Sequence, residues 1–402
     1  MIKDLRPEKM IYDAAEEMVQ KVNDLVKKNK VQAVAQAGGS YAKKTNLKGD
    51  FDVDIFVRFH LDYEDKDISR ILHTIIKPLR PKKVHGSRDY FQLKKKDFNF
   101  EFIPVLDVNQ AQQAMNVTDC SPLHVQWFKK HGKGVQDEIR LAKMFCKAAG
   151  IYGAESYIRG FSGHTLDILI VHYGSFLNLL KEAVKWKDKT VIDPHNFHKG
   201  DALNNLNHSK IEGPLVVIDP IEAARNAASG LSVEKFEEFK HRAKQFLNDP
   251  SEDFFRVRSV NKAQLKKRFP ALLWVEVTAP AGKSDVVGSK IAKVYEELKK
   301  GLSDFSVIET GWEFNKKRKA KLWFGLSASK RKKEFEVSGP PVSAKEHAKS
   351  FKHKHKATFI RSARLYAKNA HKHTKADAVA KEIIKKPYLK ERITSCSVTL
   401  FG

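Results

Sequence analysis

Apolar and polar positions divide the chain into segments of different period. Between Pro7 and Lys30, Ile11, Ala14, Met18, Val22 and Leu25 recur at helical spacing with charges between them, which predicts an amphipathic helix packed on a sheet. Val31 to Gln36 follows as a short strand leading into Gly38-Gly39-Ser40. From Phe51 to Asp54 apolar and polar residues alternate, and the run then continues apolar. This pattern predicts a strand half exposed at its start. Asp65 to Leu79 reads as a second helix, ended by Pro78 and Pro81. Val84 to Leu93 and Phe98 to Val105 read as a pair of strands; in the second, Phe98, Phe100 and Phe102 share one face and Asn99 and Glu101 the other. A small α+β domain over residues 1–131 is expected.

The stretch His131-Gly132-Lys133-Gly134 opens a mostly helical segment over residues 132–250. Val135, Ile139, Ala142, Cys146 and Ala149 form one stripe, Arg140, Lys143 and Lys147 fall on another face, and Gly150 ends the helix. Thr165 to Trp186 reads as one longer helix, apolar nearly all round and therefore buried. Leu215 to Ile218 is a buried strand and Val233 to Leu247 a further helix. Beyond Pro250 the pattern changes: strands at Leu272–Thr278, Phe305–Thr310 and Lys321–Leu326 flank a helix at Val286–Lys300. Residues 251–402 thus form a small sheet with helices on it, and the fold class is α+β throughout. No internal repeat is present.

A chain of 402 residues suits two or three domains. Its formal charge of +26 and isoelectric point near 9.7 favour a polyanionic partner. Residues 311–402 hold 24 Lys and Arg against 7 Asp and Glu, a net +17 of that total. Phosphate contacts need little more than such cations, so RNA binding is expected there, with Trp323, Phe324, Phe351, Phe359 and Tyr366 interleaved in the basic run from Lys316 to His373. Two His-Lys-His pairs, His353/His355 and His371/His373, raise zinc as a minor alternative. No apolar run approaches the ~20 residues of a membrane span. Asp4, Glu8, Asp13, Glu16 and Glu17 are unlike a signal peptide. Cys120, Cys146 and Cys396 contain no Cys-x-x-Cys pair, which fits reduced thiols in a cytoplasm.

The chemistry concentrates at Gly38 to Asp54. Asp52 and Asp54 project from one face of their strand, while Gly38, Gly39 and Ser40 offer backbone N–H groups and a hydroxyl that phosphate oxygens can approach closely. Two carboxylates converging on one cation suit magnesium, which takes oxygen ligands and substrate phosphates. Glu101, on the polar face of a neighbouring strand, is the candidate third acid. An isolated Asp-x-Asp is most often two exposed acids on an edge strand; the glycine turn upstream and Glu101 downstream reverse that balance.

These residues resemble the polymerase beta-type nucleotidyltransferase superfamily. Further segments narrow the resemblance to archaeal, class I CCA-adding enzymes: Ser121-Pro122-Leu123-His124, Asp137 to Lys143, Gly150 to Glu155, Arg159-Gly160-Phe161-Ser162-Gly163, Asp219-Pro220 with Arg225-Asn226, and Gly339-Pro340-Pro341-Val342. The resemblance implies a catalytic head over 1–131, a central nucleotide-binding domain over 132–250 and a tRNA-binding body and tail over 251–402. It implies addition of C, C and A to a tRNA 3′ end from CTP and ATP, without a template and with release of pyrophosphate, by a mechanism using two Mg2+ ions held by Asp52, Asp54 and Glu101. Gly39, Ser40, Lys43, His124, Lys143 and Tyr152 would contact the nucleotide, and Arg225 would lie on its base side. Two residues depart from the usual pattern: Glu101 stands where the family more often has aspartate, and Lys43 where it usually has arginine, so charge is kept but a bidentate fork is lost. Taken alone, Lys143 would read as a solvated helix face, Tyr152 as a core aromatic, and Arg225 as a surface cation. The competing functions are a poly(A) polymerase or oligoadenylate synthetase type of transferase, and a non-catalytic RNA-binding protein. A homodimer, a cytoplasmic location and no membrane partner complete the expectations.

Overall fold

The computed structural model describes residues 5–315 and 318–402; Lys316 and Lys317, at the start of the basic run, lie outside the described residues. The chain forms two compact units, Met1–Arg258 and Ser259–Gly402. Among the described residues no helix is long and apolar enough to cross a membrane.

In the first unit, helix α1 (Lys9–Lys28) buries Ile11, Ala15, Met18, Val22 and Val26, so the buried stripe lies one position beyond the expected Ala14 and Leu25. Strands β1 (Ala33–Ala37) and β2 (Asp52–Phe59) follow. Helix α2 (Ile68–Ile76) starts later than its periodicity suggested, because the Asp67 side chain accepts from the Arg70 N–H and caps it there. The expected strand at Val84–Leu93 is instead divided into β3 (Lys82–Val84) and β4 (Tyr90–Lys95). Between them Asp89 pairs with Lys83 and His85 at 2.6 and 3.0 Å, closing a turn around Gly86-Ser87. Strand β5 (Phe98–Leu106) completes a five-stranded sheet of order β1-β2-β5-β4-β3.

The β2–β5 pair is parallel while its neighbours are antiparallel. Its register sets Asp54 opposite Glu101 and Asp52 opposite Asn99. The opposite face carries Val53, Ile55, Phe91, Phe100 and Phe102, all at most 1% exposed, against α1 and α2. Each of these side chains contributes about 1.5–3 kcal/mol by leaving water. The alternation seen in the sequence is thus what separates a dry face from an acidic one.

Helix α3 (Ser121–His131) leads to α4 (Gln136–Ala148), which ends at Gly150 with φ +66°. Ile139, Ala142 and Cys146 of the apolar stripe are buried in α4, with Val135 and Ala149 partly buried at its ends, but Arg140 and Lys143, expected on a separate face, are buried too. The single helix expected over Thr165–Trp186 is two, α5 (Gly163–Tyr173) and α6 (Phe176–Ala183). Gly174 takes φ +80°, a conformation glycine adopts freely, and the Ser175 side chain caps the new start at the Asn178 N–H. A two-stranded parallel sheet, β6 (Thr190–Ile192) and β7 (Leu215–Val217), and helix α7 (Val233–Asn248) complete the unit. Of these last three, β6 alone had no counterpart in the sequence pattern.

The second unit holds β8 (Ala271–Thr278), α8 (Ser284–Gly301), β9 (Val307–Phe314), β10 (Lys319–Leu326), β11 (Glu334–Pro341), α9 (Lys345–Lys354), β12 (Thr358–Arg361), β13 (Arg364–Ala370), α10 (Ala376–Ile384) and β14 (Ser395–Phe401). Strands β14-β8-β10-β9 form one sheet and β11-β13-β12 another. Phe324, expected in the basic-aromatic surface, is fully buried in the core under α8 and α10. Phe359 and Tyr366 do form a stacked pair, with the Arg361 guanidinium over both rings. His355 packs against Phe351 and His371 stacks on Phe335, so the two His-Lys-His pairs are divided among separate aromatic contacts.

Candidate active site

Strand β1 runs into Gly38, whose N–H donates to the Asp54 carbonyl at 2.8 Å and ties the turn to β2. Gly39 has φ +53°, and a Cβ there would lie 1.8 Å from Asp54 Oδ2. No other residue fits without moving the carboxylate. The turn continues as a single helical turn, Gly39–Ala42, and the Thr45 N–H returns to the Ser40 carbonyl at 2.9 Å.

The three acids occupy two adjacent strands. Asp52 is exposed and accepts from Asn99 Nδ2 at 3.1 Å, while Glu101 accepts from Gln92 Nε2 at 2.7 Å. Burial, followed by the charges of Glu101 and Asp52, pushes the Asp54 carboxyl up to about 7, with Lys43 opposing. A carboxyl so placed takes either a proton or a cation. It follows that Asp54 keeps its proton in the folded chain up to about pH 7 but loses it near 3.8 when unfolded. Between those values the folded state binds more protons, so this group's contribution to stability falls as pH rises and levels off above 7. In chelator, Asp54→Asn should therefore melt at a higher temperature than the parent chain above pH 7 and at the same temperature near pH 4. Equal melting temperatures across that range would contradict the crowding of charge.

Behind the turn lies a buried cationic layer. Lys43, 8% exposed, pairs with Asp167 of α5 at 2.8 Å. Lys143 of α4 donates to the Thr45 carbonyl and hydroxyl, each at 3.0 Å. Burial lowers the Lys143 ammonium to about 8, with Asp167 opposing. Burial pushes the Asp167 carboxyl up, but the charges of Lys43 and Lys143 more than offset it. Arg140 donates to the carbonyls of Lys44 and Asn46, so the two buried cations of α4 grip consecutive carbonyls of the loop after the glycine turn. The Tyr152 hydroxyl and the Lys143 stem meet at Gly163, where a Cβ would lie 3.0 Å from the first and 3.7 Å from the second. Lys143 is therefore no solvated face.

A second centre is the carboxylate of Asp219, which follows β7 and is fully buried. It accepts from His124 Nε2 at 2.9 and 3.0 Å, His164 Nε2 at 3.1 Å and Arg225 Nη1 at 3.1 Å. Burial would raise its pKa, but the hydrogen bonds from both histidines hold it far below the usual carboxylate range. Burial also lowers the His164 imidazole to about 4. Among the described residues, His124, His164 and Asp219 are the group of potential metal-ligating atoms lying within 4.8 Å of one another. Those atoms are already engaged with each other, and the Arg225 guanidinium shares the same oxygen as His164.

A cleft of ≈ 380 Å³ joins these parts: Gly39, Lys43, Asp54, His124, His164 and Arg225 all line it. Five of the residues singled out from sequence therefore meet in one space. Ser40, Asp52, Glu101, Lys143 and Tyr152 are not in that lining; the last two stand behind it at Gly163. The sequence pattern assigns no role to Asp167, His164 or Asp219. Asp167 leaves one signal, an acid inside an otherwise apolar helix, which requires a buried partner.

A mixed sheet with an acid-bearing parallel strand pair beside a glycine turn defines the class as a nucleotidyltransferase fold. The solved structure of a cytoplasmic RNA terminal U-transferase shares it, with a TM-score of 0.50 at 13% identity, over 64% of this chain and 96% of that chain. Residues 137–256 match the family "tRNA nucleotidyltransferase, second domain", and residues 270–392 match "CCA-adding enzyme, C-terminal domain". The CCA-adding enzyme of Nanoarchaeum equitans is 33% identical over 366 residues, covering 90% of each chain. That of Methanocaldococcus jannaschii is 28% identical over 92% of this chain and 85% of its own, and that of Thermococcus gammatolerans 28% over 85% and 78%. The chain belongs to the family of CCA-adding enzymes.

Proposed function

We infer that this protein adds C, C and A to the 3′ end of tRNA from CTP and ATP, without a template and with release of pyrophosphate. The observation that carries the reading is the cleft itself, where Asp54, in register with Glu101 and pressed against Gly39, shares one space with His124 and Arg225. The poly(A)-polymerase and oligoadenylate-synthetase alternatives are not favoured, since both family matches and the relatives above are tRNA nucleotidyltransferases or CCA-adding enzymes. Three acids in place count against a binding-only protein.

The oxygen-only donor set of Asp52, Asp54 and Glu101, with one carboxyl raised by burial and by its acidic neighbours, fits magnesium. When bound there, magnesium supplies the charge that favours attack of the RNA 3′-hydroxyl on the α-phosphate and departure of pyrophosphate. The chain's own residues do the rest by position. Gly39 and Ser40 present the turn's backbone and hydroxyl to the phosphates, and Lys43 and His124 add donors along the cleft. Lys143 and Tyr152 complete the nucleotide side from behind. Arg225 faces the base. C and A both carry an exocyclic amine next to a ring acceptor, whereas U and G reverse that order, so one donor and one acceptor can accept the first two alike. In this reading residues 1–131 are the catalytic head, 132–250 the central nucleotide domain and 251–402 the tRNA-binding body. The acceptor stem and 3′ end are the parts of tRNA engaged, the location is cytoplasmic, and a homodimer, measurable by light scattering, belongs to the same reading.

The test is stepwise. Supplied with one nucleotide at a time, purified protein should extend tRNA that lacks its last three nucleotides with CTP and not with ATP, and tRNA ending in CC with ATP and not with CTP, so that CTP enters before ATP. Incorporation of ATP alone into both substrates would point to a poly(A) type of transferase. Arg225→Ala should lower use of CTP and ATP and narrow their advantage over UTP, by roughly 5–150-fold for a lost partner in a site built to use it. An unchanged CTP-to-UTP ratio would mean that Arg225 holds phosphate or RNA instead.

A further inference from the structure

We propose that Asp219 is the positioning residue that sets both His124 and Arg225 against the incoming nucleotide, so that phosphate handling and base choice depend on one buried carboxylate. This rests on the reading above in which Arg225 faces the base and His124 the triphosphate. Asp219 has no exposed surface and is not in the cleft lining, yet three of its partners, His124, His164 and Arg225, are. Those partners come from places far apart in sequence: His124 lies 95 residues away on α3 and His164 55 residues away on α5. One carboxylate therefore joins three walls of the cleft.

The carboxylate is saturated. Besides the two imidazoles and the guanidinium, Oδ1 accepts the backbone N–H groups of Ile221 at 2.9 Å and Glu222 at 3.3 Å. A carboxylate offers about four lone-pair directions, so nothing is left over for substrate. Its work is to aim other groups. The loop bearing Arg225 is closed on the same residue: the Asp219 N–H donates to the Arg225 carbonyl at 3.0 Å, and the Arg225 N–H to the Glu222 carbonyl at 2.9 Å. Asn226 then locks the loop to β7, accepting from the Val217 and Ala228 N–H groups at 2.9 and 2.8 Å. Arg225 is thus held at its backbone and at one guanidinium nitrogen. The remaining donors can meet a base edge only in a fixed direction, which is what discrimination requires. With Nε2 committed to the same acceptor, the His124 ring is fixed in its plane as well.

Four proteins decide the matter: the parent chain, Asp219→Asn, Arg225→Ala and the double variant. The readouts are kcat and KM for CTP and for UTP on tRNA lacking its 3′ end, with tRNA affinity and melting measured on the same samples. Asp219→Asn is expected to lower kcat for CTP and to narrow the CTP-to-UTP ratio about as much as Arg225→Ala does, with tRNA affinity retained. In the Arg225→Ala background it should narrow the ratio no further, because the two act through one interaction. A ratio unchanged in Asp219→Asn, or a double variant whose narrowing is the product of the two, overturns the proposal while leaving Arg225's role standing. A ratio unchanged in Arg225→Ala itself brings down the base-reading assignment and the coupling together. Should Asp219→Asn fail to melt cooperatively, His124→Ala and Arg225→Ala form a second cycle. Their losses in kcat/KM should combine to less than their product, and a full product would overturn the shared carboxylate.

Discussion

Asp54→Ala is expected to abolish nucleotide addition, with turnover down by roughly 10³-fold or more, while tRNA affinity stays within a few-fold. Asp54 is half-buried, faces Glu101 across a parallel strand pair and lines the cleft beside Gly39. Burial and then the charges of Glu101 and Asp52 disfavour its ionised form, which a cation would restore. In the reading proposed above, removing the carboxylate takes away a metal ligand and the charge stabilisation that the ligand anchors. The protein should remain folded, since the substitution relieves repulsion, and Asp54→Asn, with nearly unchanged shape, guards against a packing artefact. Wild-type turnover in either variant, measured as pyrophosphate released per tRNA, would contradict the assignment of these acids.

The second large effect belongs to the second unit. A basic groove of ≈ 940 Å³ there is lined by Lys330, Lys332, Lys333 and Lys368, with the stacked rings of Phe335 and His371 on its wall. All four lysines are exposed, which leaves their charge to a polyanion. Each phosphate neutralised releases counterions, and the slope of log affinity against log salt becomes shallower by ~0.7–0.9 for every phosphate that is no longer neutralised. Replacing the four with glutamine should weaken tRNA binding at low salt by well over an order of magnitude and flatten the salt slope by roughly 3. Addition of CTP at saturating tRNA should be little affected, because the cleft that holds Asp54 lies in the first unit. Equal affinity and equal slope would mean that the charge of this groove serves something other than tRNA.

The sequence made some of this legible because the signals were local. Alternation along Phe51–Asp54 and Phe98–Phe102 places the acids on one face, and the parallel register then brings Asp54 and Glu101 together. Glycines before a carboxylate-bearing strand mark a close approach, as Gly39 against Asp54 turned out to be. Long-range pairings were not legible. Lys43 and Asp167 are 124 residues apart and His124 and Asp219 95, and no periodicity announces which buried charge meets which. The helix break at Gly174 was hidden because an isolated glycine in an apolar run is also compatible with a continuous helix. Strand β11 escaped because its alternating part, Glu334 to Ser338, is short, follows the cations Arg331 to Lys333 and runs straight into Gly339-Pro340-Pro341, which reads as a break in a strand.

The most direct measurement is to give the protein tRNA lacking its 3′ end together with all four nucleoside triphosphates, and to sequence every product. The expected ends read CCA and then stop, with intermediates in C and CC and no appreciable U or G. Runs of A or U, ends of mixed sequence, or tRNA that is bound but never extended would contradict it.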